Sequence, residues 1–211
     1  GPVNWLGLKT LYARETQRFI KVYAQTILAP TVTALIFFAI FTLALGREDE
    51  ITSGLPFAVF LAPGLVMMSV IQNAFANTSS SLMIAKIQGS LVDTLMPPLS
   101  PMELTMGYAL GGMTRGIVVG VATTLILTFF VGLHIHSVFF MLFHGITAAL
   151  ALALLGTIFG IWAEKFDHIA AVTNFIIMPL SFLSGTFYSI ERLPGIWQTL
   201  ASANPFFYAI N

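Results

Sequence analysis

No Asp, Glu, Lys or Arg occurs between residues 51 and 85. A helix needs only about 20 apolar residues to cross the hydrocarbon core of a bilayer, so this run is long enough to cross and leave a surplus. The next stretch is different in kind. From Ala85 to Pro101 the chain carries Lys86 and Asp93 and closes with Pro97, Pro98 and Pro101. A charge-free span handing over to a short amphipathic piece on one membrane face constrains the fold more than any other feature.

Composition agrees with that reading. Of the 211 residues, 57% are hydrophobic and 9% charged, with a mean hydropathy of +0.89, whereas soluble domains carry about a quarter charged residues. The chain is an integral membrane protein. A formal net charge of +0 gives no electrostatic footprint for nucleic acid. The absence of Cys excludes disulfides, thiolate metal ligands and cysteine nucleophiles. The first long apolar run starts after a charged stretch and lacks a small-residue cleavage pattern, so it is not a secretory signal peptide.

Five segments are apolar enough to span: 23–45, 55–76, 104–131, 138–162 and 169–190. Lipid offers the backbone no hydrogen-bond partners and no barrel-like alternation is present, so all five are expected as helices of one all-α, polytopic domain over residues 1–211. If the spans alternate, Lys9, Arg14, Arg18, Lys21, Lys86, Arg115 and Lys165 fall on one side, and Arg47 and Arg192 on the other. The basic side is cytoplasmic by the positive-inside rule, with the N-terminus inside. The chain stops in the amphipathic stretch from Asn204 to Asn211, which reads as an interruption, so a sixth span is expected to be missing.

Two segments are amphipathic. On a helical wheel over residues 4–22 and the next position, Trp5, Leu8, Leu11, Tyr12, Phe19, Val22 and Tyr23 share one face, and Thr10, Arg14, Gln17, Arg18 and Lys21 the other. This is expected to be an interfacial helix with basic residues toward anionic lipid. Glu15 alone among the charges projects on the apolar side, either as a charge at a wet helix edge or as a salt bridge to a neighbour. Over 84–98, Ile84, Ile87, Leu91 and Leu95 form a stripe opposite Lys86, Ser90 and Asp93, and Pro97-Pro98 ends the helix. Spacing alone allows either a passive surface helix or a lever gripped by a soluble partner.

Within the spans, Gly107, Gly111, Gly112, Gly116 and Gly120 recur at four-residue spacing, as do Gly156 and Gly160, a pattern that lets helices approach closely. Arg115 lies deep in the third span and must snorkel, pair or face water. Glu103 is a candidate partner, and Arg115 a candidate pathway residue or inter-helix lock. Gln72, Asn73, Asn77, Thr78 and Ser79 to Ser81 either line a cavity or bond between helices. Pro179 is placed to break the fifth span, and residues 184–189 are polar enough for a broken or re-entrant stretch. Residues 191–207 read as an external interfacial segment around Trp197.

Several chemistries have no residues to carry them. No G-x-x-x-x-G-K-[ST], G-x-S-x-G or HExxH occurs. The four histidines, His134, His136, His144 and His168, are scattered without carboxylates at ligand spacing. Essentially no acidic residue sits within the spans, which disfavours a proton-coupled carrier and points to an energy source outside the chain.

Taken in order, the stretch from Lys9 to Arg18, Phe60 to Met68, Gln72 to Asn77, Lys86 to Pro98, Ser184 to Tyr188, Leu193 to Trp197 and Asn204 to Tyr208 resembles the ABC type-2 exporter permeases, and among them the YadH-like bacterial inner-membrane subgroup. The resemblance covers essentially the whole chain. It implies six spans, a homodimer or pseudo-dimer in the bacterial inner membrane, and a separate ATPase subunit, itself dimeric, that holds ATP and Mg. No catalytic site or cofactor is then expected in this chain. It also implies that residues 4–22 are a connecting helix and 84–98 a coupling helix seated in the ATPase. On that footing Lys86, Gln88, Gly89, Leu91 and Asp93 are the expected ATPase contacts, supported by Glu15 and Arg18. Transport would proceed by alternating access. The alternatives are a secondary carrier or channel with no nucleotide partner, or an intramembrane lipid-modifying enzyme.

Overall fold

The computed structural model describes residues 4–45, 57–88, 100–131 and 138–191. Seven helices run through them: α1 (Trp5–Lys21), α2 (Ala29–Leu45), α3 (Phe57–Gln88), α4 (Pro101–Val131), α5 (Val138–Trp162), α6 (Phe166–Val172) and α7 (Met178–Glu191). There is no strand among the described residues. Among the described residues, four helical segments are long and apolar enough to cross a membrane: Ala24–Phe41, Pro101–Phe129, Leu142–Trp162 and Phe166–Ser184. They coincide with four of the five expected spans.

The remaining expected span, 55–76, falls on α3, whose helix starts at Phe57 and continues without interruption to Gln88. α3 is the centre of the molecule, packed against α2, α4, α5 and α7. From Ala62 to Ala85 none of its residues is exposed. Met67, Val70, Ile71, Ala74 and Phe75 form the main core with Ala109 of α4, Ala149, Leu152 and Ala153 of α5, and Val172 and Ile177. Nearer the start of α3, Ala62, Leu65 and Val66 meet Phe38 of α2 and Leu127 of α4.

Small residues permit this packing. A Cβ on Gly112 would meet Thr78 Cγ2 at 2.6 Å, and one on Gly116 the Val70 carbonyl at 3.0 Å. Gly120 faces Val70, and Gly107 faces Leu11 of α1. From α5, Gly156 lies against the Phe75 carbonyl and Gly160 against Ser79. Backbone-to-backbone approach of this kind supplies the dispersion contacts that hold helices together where lipid removes the hydrophobic drive.

Two π turns, Ala24–Leu28 and Thr173–Ile177, lead into α2 and α7. Each stands just upstream of a proline, Pro30 and Pro179 respectively. Proline lacks a donor and its ring crowds the carbonyl four residues earlier; widening the preceding turn relieves both. Pro179 therefore does not break the helix at its middle as the sequence suggests, and the backbone stays helical through Glu191. The expected re-entrant stretch at 184–189 is replaced by continuous helix. The external segment 191–207 lies outside the described residues except for Glu191, the last residue of α7.

Candidate functional site: a polar junction of α1, α3 and α4

α1 is capped by Asn4, whose Oδ1 accepts from the Gly7 amide at 3.0 Å, satisfying one of the orphan donors of a helix start. The Asn4 amide in turn donates to Glu103 Oε2 of α4 at 3.2 Å. Glu103 is thus engaged with the start of α1, and the partner of Arg115 is a different residue. Leu11 and Phe19 are buried, Leu11 against Leu82 of α3 and Tyr108 of α4. Tyr12 shares a hydrogen bond of 2.8 Å with Thr114. The apolar face of α1 therefore turns substantially onto α3 and α4, leaving Trp5, Leu6, Ile20 and Tyr23 exposed at its margins.

The inward turn takes Glu15 with it. Only 3% exposed, its carboxylate accepts from Ser81 Oγ at 2.5 Å and lies 3.9 Å from Arg18 Nε. Burial pushes its pKa up, and the Ser81 hydrogen bond and the nearby Arg18 and Arg14 charges only partly oppose that rise. Of the sequence readings, the charge at a wet edge is excluded, and in place of a salt bridge to a neighbouring helix the structure has a hydrogen bond from Ser81 of α3 and an ion pair with Arg18 of α1 itself. Gly111 of α4 makes room for Glu15, since a Cβ there would stand 2.8 Å from Glu15 Cβ.

Arg18 and Arg115 reach the same helix. Arg18 Nη2 donates to the Asn77 carbonyl and to Asn77 Oδ1, at 3.0 and 3.2 Å. Arg115 Nη2 donates to Asn73 Oδ1 at 3.1 Å. Asn73 and Asn77 are four residues apart and share one face of α3, so two guanidiniums from different helices are seated one helical turn apart. Arg115 is an inter-helix tie to α3. Donors remain unpaired around these seats: Arg18 Nε, Asn77 Nδ2 and Arg115 Nε are buried without a hydrogen-bond partner among the described residues.

The rest of the polar stripe closes mostly on its own helix. Asn73 Nδ2 donates to the Ser69 carbonyl, Ser79 Oγ to that of Phe75, both at 2.8 Å, and Ser80 Oγ to that of Asn77 at 3.2 Å. Gln72 reaches Ser181 of α7 at 2.9 Å. Back-bonding of this kind satisfies polar side chains in a buried helix without a partner helix. Composition could reveal the stripe but not which of its members would turn outward.

At the far end of α3, Lys86 Nζ donates to the carbonyls of Ile161 and Ala163 at the close of α5. Gln88 is exposed at the helix terminus. Gly89, Leu91 and Asp93, with most of the coupling segment 84–98, lie outside the described residues; its described part, 84–88, is a direct continuation of α3. α1, the end of α3, the start of α4 and the α5–α6 turn therefore gather at one end of the bundle. No group of three or more metal-ligating side chains occurs among the described residues, and His134 and His136 lie outside them.

This arrangement is accompanied by a family match: a model described as "ABC-2 type transporter" fits residues 7–211. The chain belongs to the ABC-2 type transporter family. It is 38% identical over 207 residues to the inner membrane transport permease YadH of Escherichia coli (strain K12), an overlap of 98% of this chain and 81% of that protein. It is 22% identical over 213 residues to Nodulation protein J of Rhizobium leguminosarum bv. viciae, covering 100% of this chain and 81% of the relative. Nodulation protein J of Sinorhizobium fredii (strain NBRC 101917 / NGR234) is 25% identical over 216 residues, with 99% and 79% covered. No solved structure matches. As an ABC-2 type transporter the chain is a membrane transport permease, a multi-pass helical protein of the inner-membrane kind.

Proposed function

We propose that this chain is the membrane subunit of an ATP-driven exporter, working as a dimer with a separate dimeric ATPase that holds ATP and Mg. The observation that carries this reading is the continuity of α3. One helix runs from the centre of the bundle to Gln88 at the end where α1 docks. Residues 84–88 of the expected coupling segment are the last residues of that helix, so a force applied there acts on the core.

In this reading the spans number five in the sequence given, α3 among them, with the N-terminus cytoplasmic and α1 lying at the inner membrane interface. ATP binding draws the two ATPase subunits together and shifts the coupling segments. The bundle then rocks between inward- and outward-facing states with different affinities for the substrate. Gln88, Gly89, Leu91 and Asp93 provide the contact surface. Lys86, Glu15 and Arg18 hold the end of α3 in place behind it, because their described bonds point into the molecule.

The test is co-purification with an ABC ATPase co-expressed with this chain, comparing the unaltered protein with Gly89→Trp and Asp93→Lys. Both variants are expected to lose the ATPase and ATP-dependent transport while keeping their thermal stability. Unchanged association and transport in both would refute the contact assignment. Transport by the purified chain with no ATPase present would favour the carrier or channel alternative.

A further inference from the structure

Between α1 and the end of α3 lies an open cavity of about 460 Å³. Arg14, Gln17, Arg18 and Lys21 line it from α1, and Ile84 and Gln88 from α3. Even with the Glu15 carboxyl ionised at its edge, three cations face one anion. That carboxyl is moreover occupied by Ser81. Arg18 enters the cavity with its Nη2 already committed to Asn77 and its Nε 3.9 Å from the Glu15 carboxyl, so Arg14 and Lys21 are the cations that answer most directly to a ligand. Val22 and Ile84 give the cavity an apolar wall beside the basic one.

We propose that this cavity binds a phosphate group, carried by an anionic lipid headgroup or a soluble phosphate ester, with Arg14, Arg18 and Lys21 as cationic donors. Phosphate suits the donor set because its several oxygens can accept from cations converging from one helix, and guanidinium–phosphate bonds are among the stronger charge-assisted ones. Gln17 and Gln88 add neutral donors at the rim. Arg14 stands three and four positions before Gln17 and Arg18, and Lys21 four and three positions after them, so the four project toward one side of α1. The bound group would bridge α1 and α3 beside the bond from Ser81 to Glu15, tying the two helices by a second route. Apart from Gln88, which the proposed ATPase surface also uses, the site is built from residues outside that contact.

The experiment titrates the full chain, in neutral detergent, with dioleoylphosphatidylglycerol, glycerol 1-phosphate and dioleoylphosphatidylcholine. Thermal unfolding and native mass spectrometry are the readouts. A saturable rise in the unfolding midpoint with one bound phosphatidylglycerol supports a lipid headgroup, and the same response to glycerol 1-phosphate supports a soluble ester. In either case Arg14→Gln/Lys21→Gln is expected to weaken apparent affinity by about tenfold or more. Arg18→Gln also breaks the Asn77 bond and tests folding as well as binding, so the double variant carries the decision. Equal binding of phosphatidylcholine, unchanged affinity in the folded double variant, or no saturable response to either phosphate compound would overturn the proposal.

Discussion

Lys86 of α3 donates from Nζ to the backbone carbonyl of Ile161, 2.8 Å away in the last turn of α5. Carbonyls at a helix end lack partners within the helix, and a cation there also meets the negative end of the helix dipole. Lys86→Met is expected to lower stability by about 1–3 kcal/mol, read as a lower thermal unfolding midpoint in detergent, with Lys86→Arg restoring part of it. A residue serving only as an outside contact would leave the midpoint unchanged.

Glu15 predicts a pH dependence. Its pKa is raised by burial, so the folded state holds the proton more tightly than the unfolded chain. The contribution to docking of α1 is full below the ordinary carboxylate range and is lost as pH rises through the raised value. Glu15→Gln, which keeps an acceptor for Ser81, is expected to flatten the stability profile on the alkaline side of that range. The check is thermal unfolding in a series of buffers from acidic to neutral pH, compared between the two proteins.

Gly156 and Gly145 make a matched pair on α5. A methyl at Gly156 would stand 2.6 Å from the Phe75 carbonyl, whereas one at Gly145 meets nothing within 4 Å. Gly156→Ala is expected to cost about 1–3 kcal/mol through forced separation of α5 from α3. Gly145→Ala is expected to be neutral or slightly stabilising through helix propensity. Unfolding midpoints of the two variants give the comparison directly.

The absence of cysteine makes engineered cross-links easy to read. The Cβ position at Gly107 lies 3.4 Å from Leu11 Cβ, close to the separation a disulfide requires. Leu11→Cys/Gly107→Cys is expected to oxidise readily, with the bond detected by mass spectrometry of the digested protein. Retained transport in the oxidised form would show that α1 and α4 move as one body; lost transport recovered on reduction would show that α1 must slide or lift.

Four spans are legible in the sequence because each is a long apolar run, and the close approach of the glycine-bearing helices reflects residue size alone. Other features are set by tertiary contacts that periodicity does not encode. Glu15 stands out on the helical wheel as a charge on the wrong face, yet nothing in the sequence links it to Ser81, 66 positions away. Arg115 is visible as an intramembrane cation, but its seat is Asn73 rather than the acid Glu103. Pro179 reads as a breaker because sequence shows the missing donor and does not show the widened turn that absorbs it. The polar stripe of α3 hides the separation of its inward-bonded hydroxyls from the side chains that reach other helices.

The unbroken length of α3 has a mechanical consequence. The 25 residues of α3 beyond Pro63 make a rod of about 38 Å at 1.5 Å per residue, so a push of about 5 Å at Gln88 would tilt that rod by only about 8°. A stiff axle of this kind converts displacement into a small rotation and leaves bending to the parts around it. Those parts are already marked: α2 and α7 both begin at a π turn backed by proline. Rigidity at the hub and compliance at two points on the rim would let a modest pull at one end reshape the surroundings of the bundle without unpacking its core.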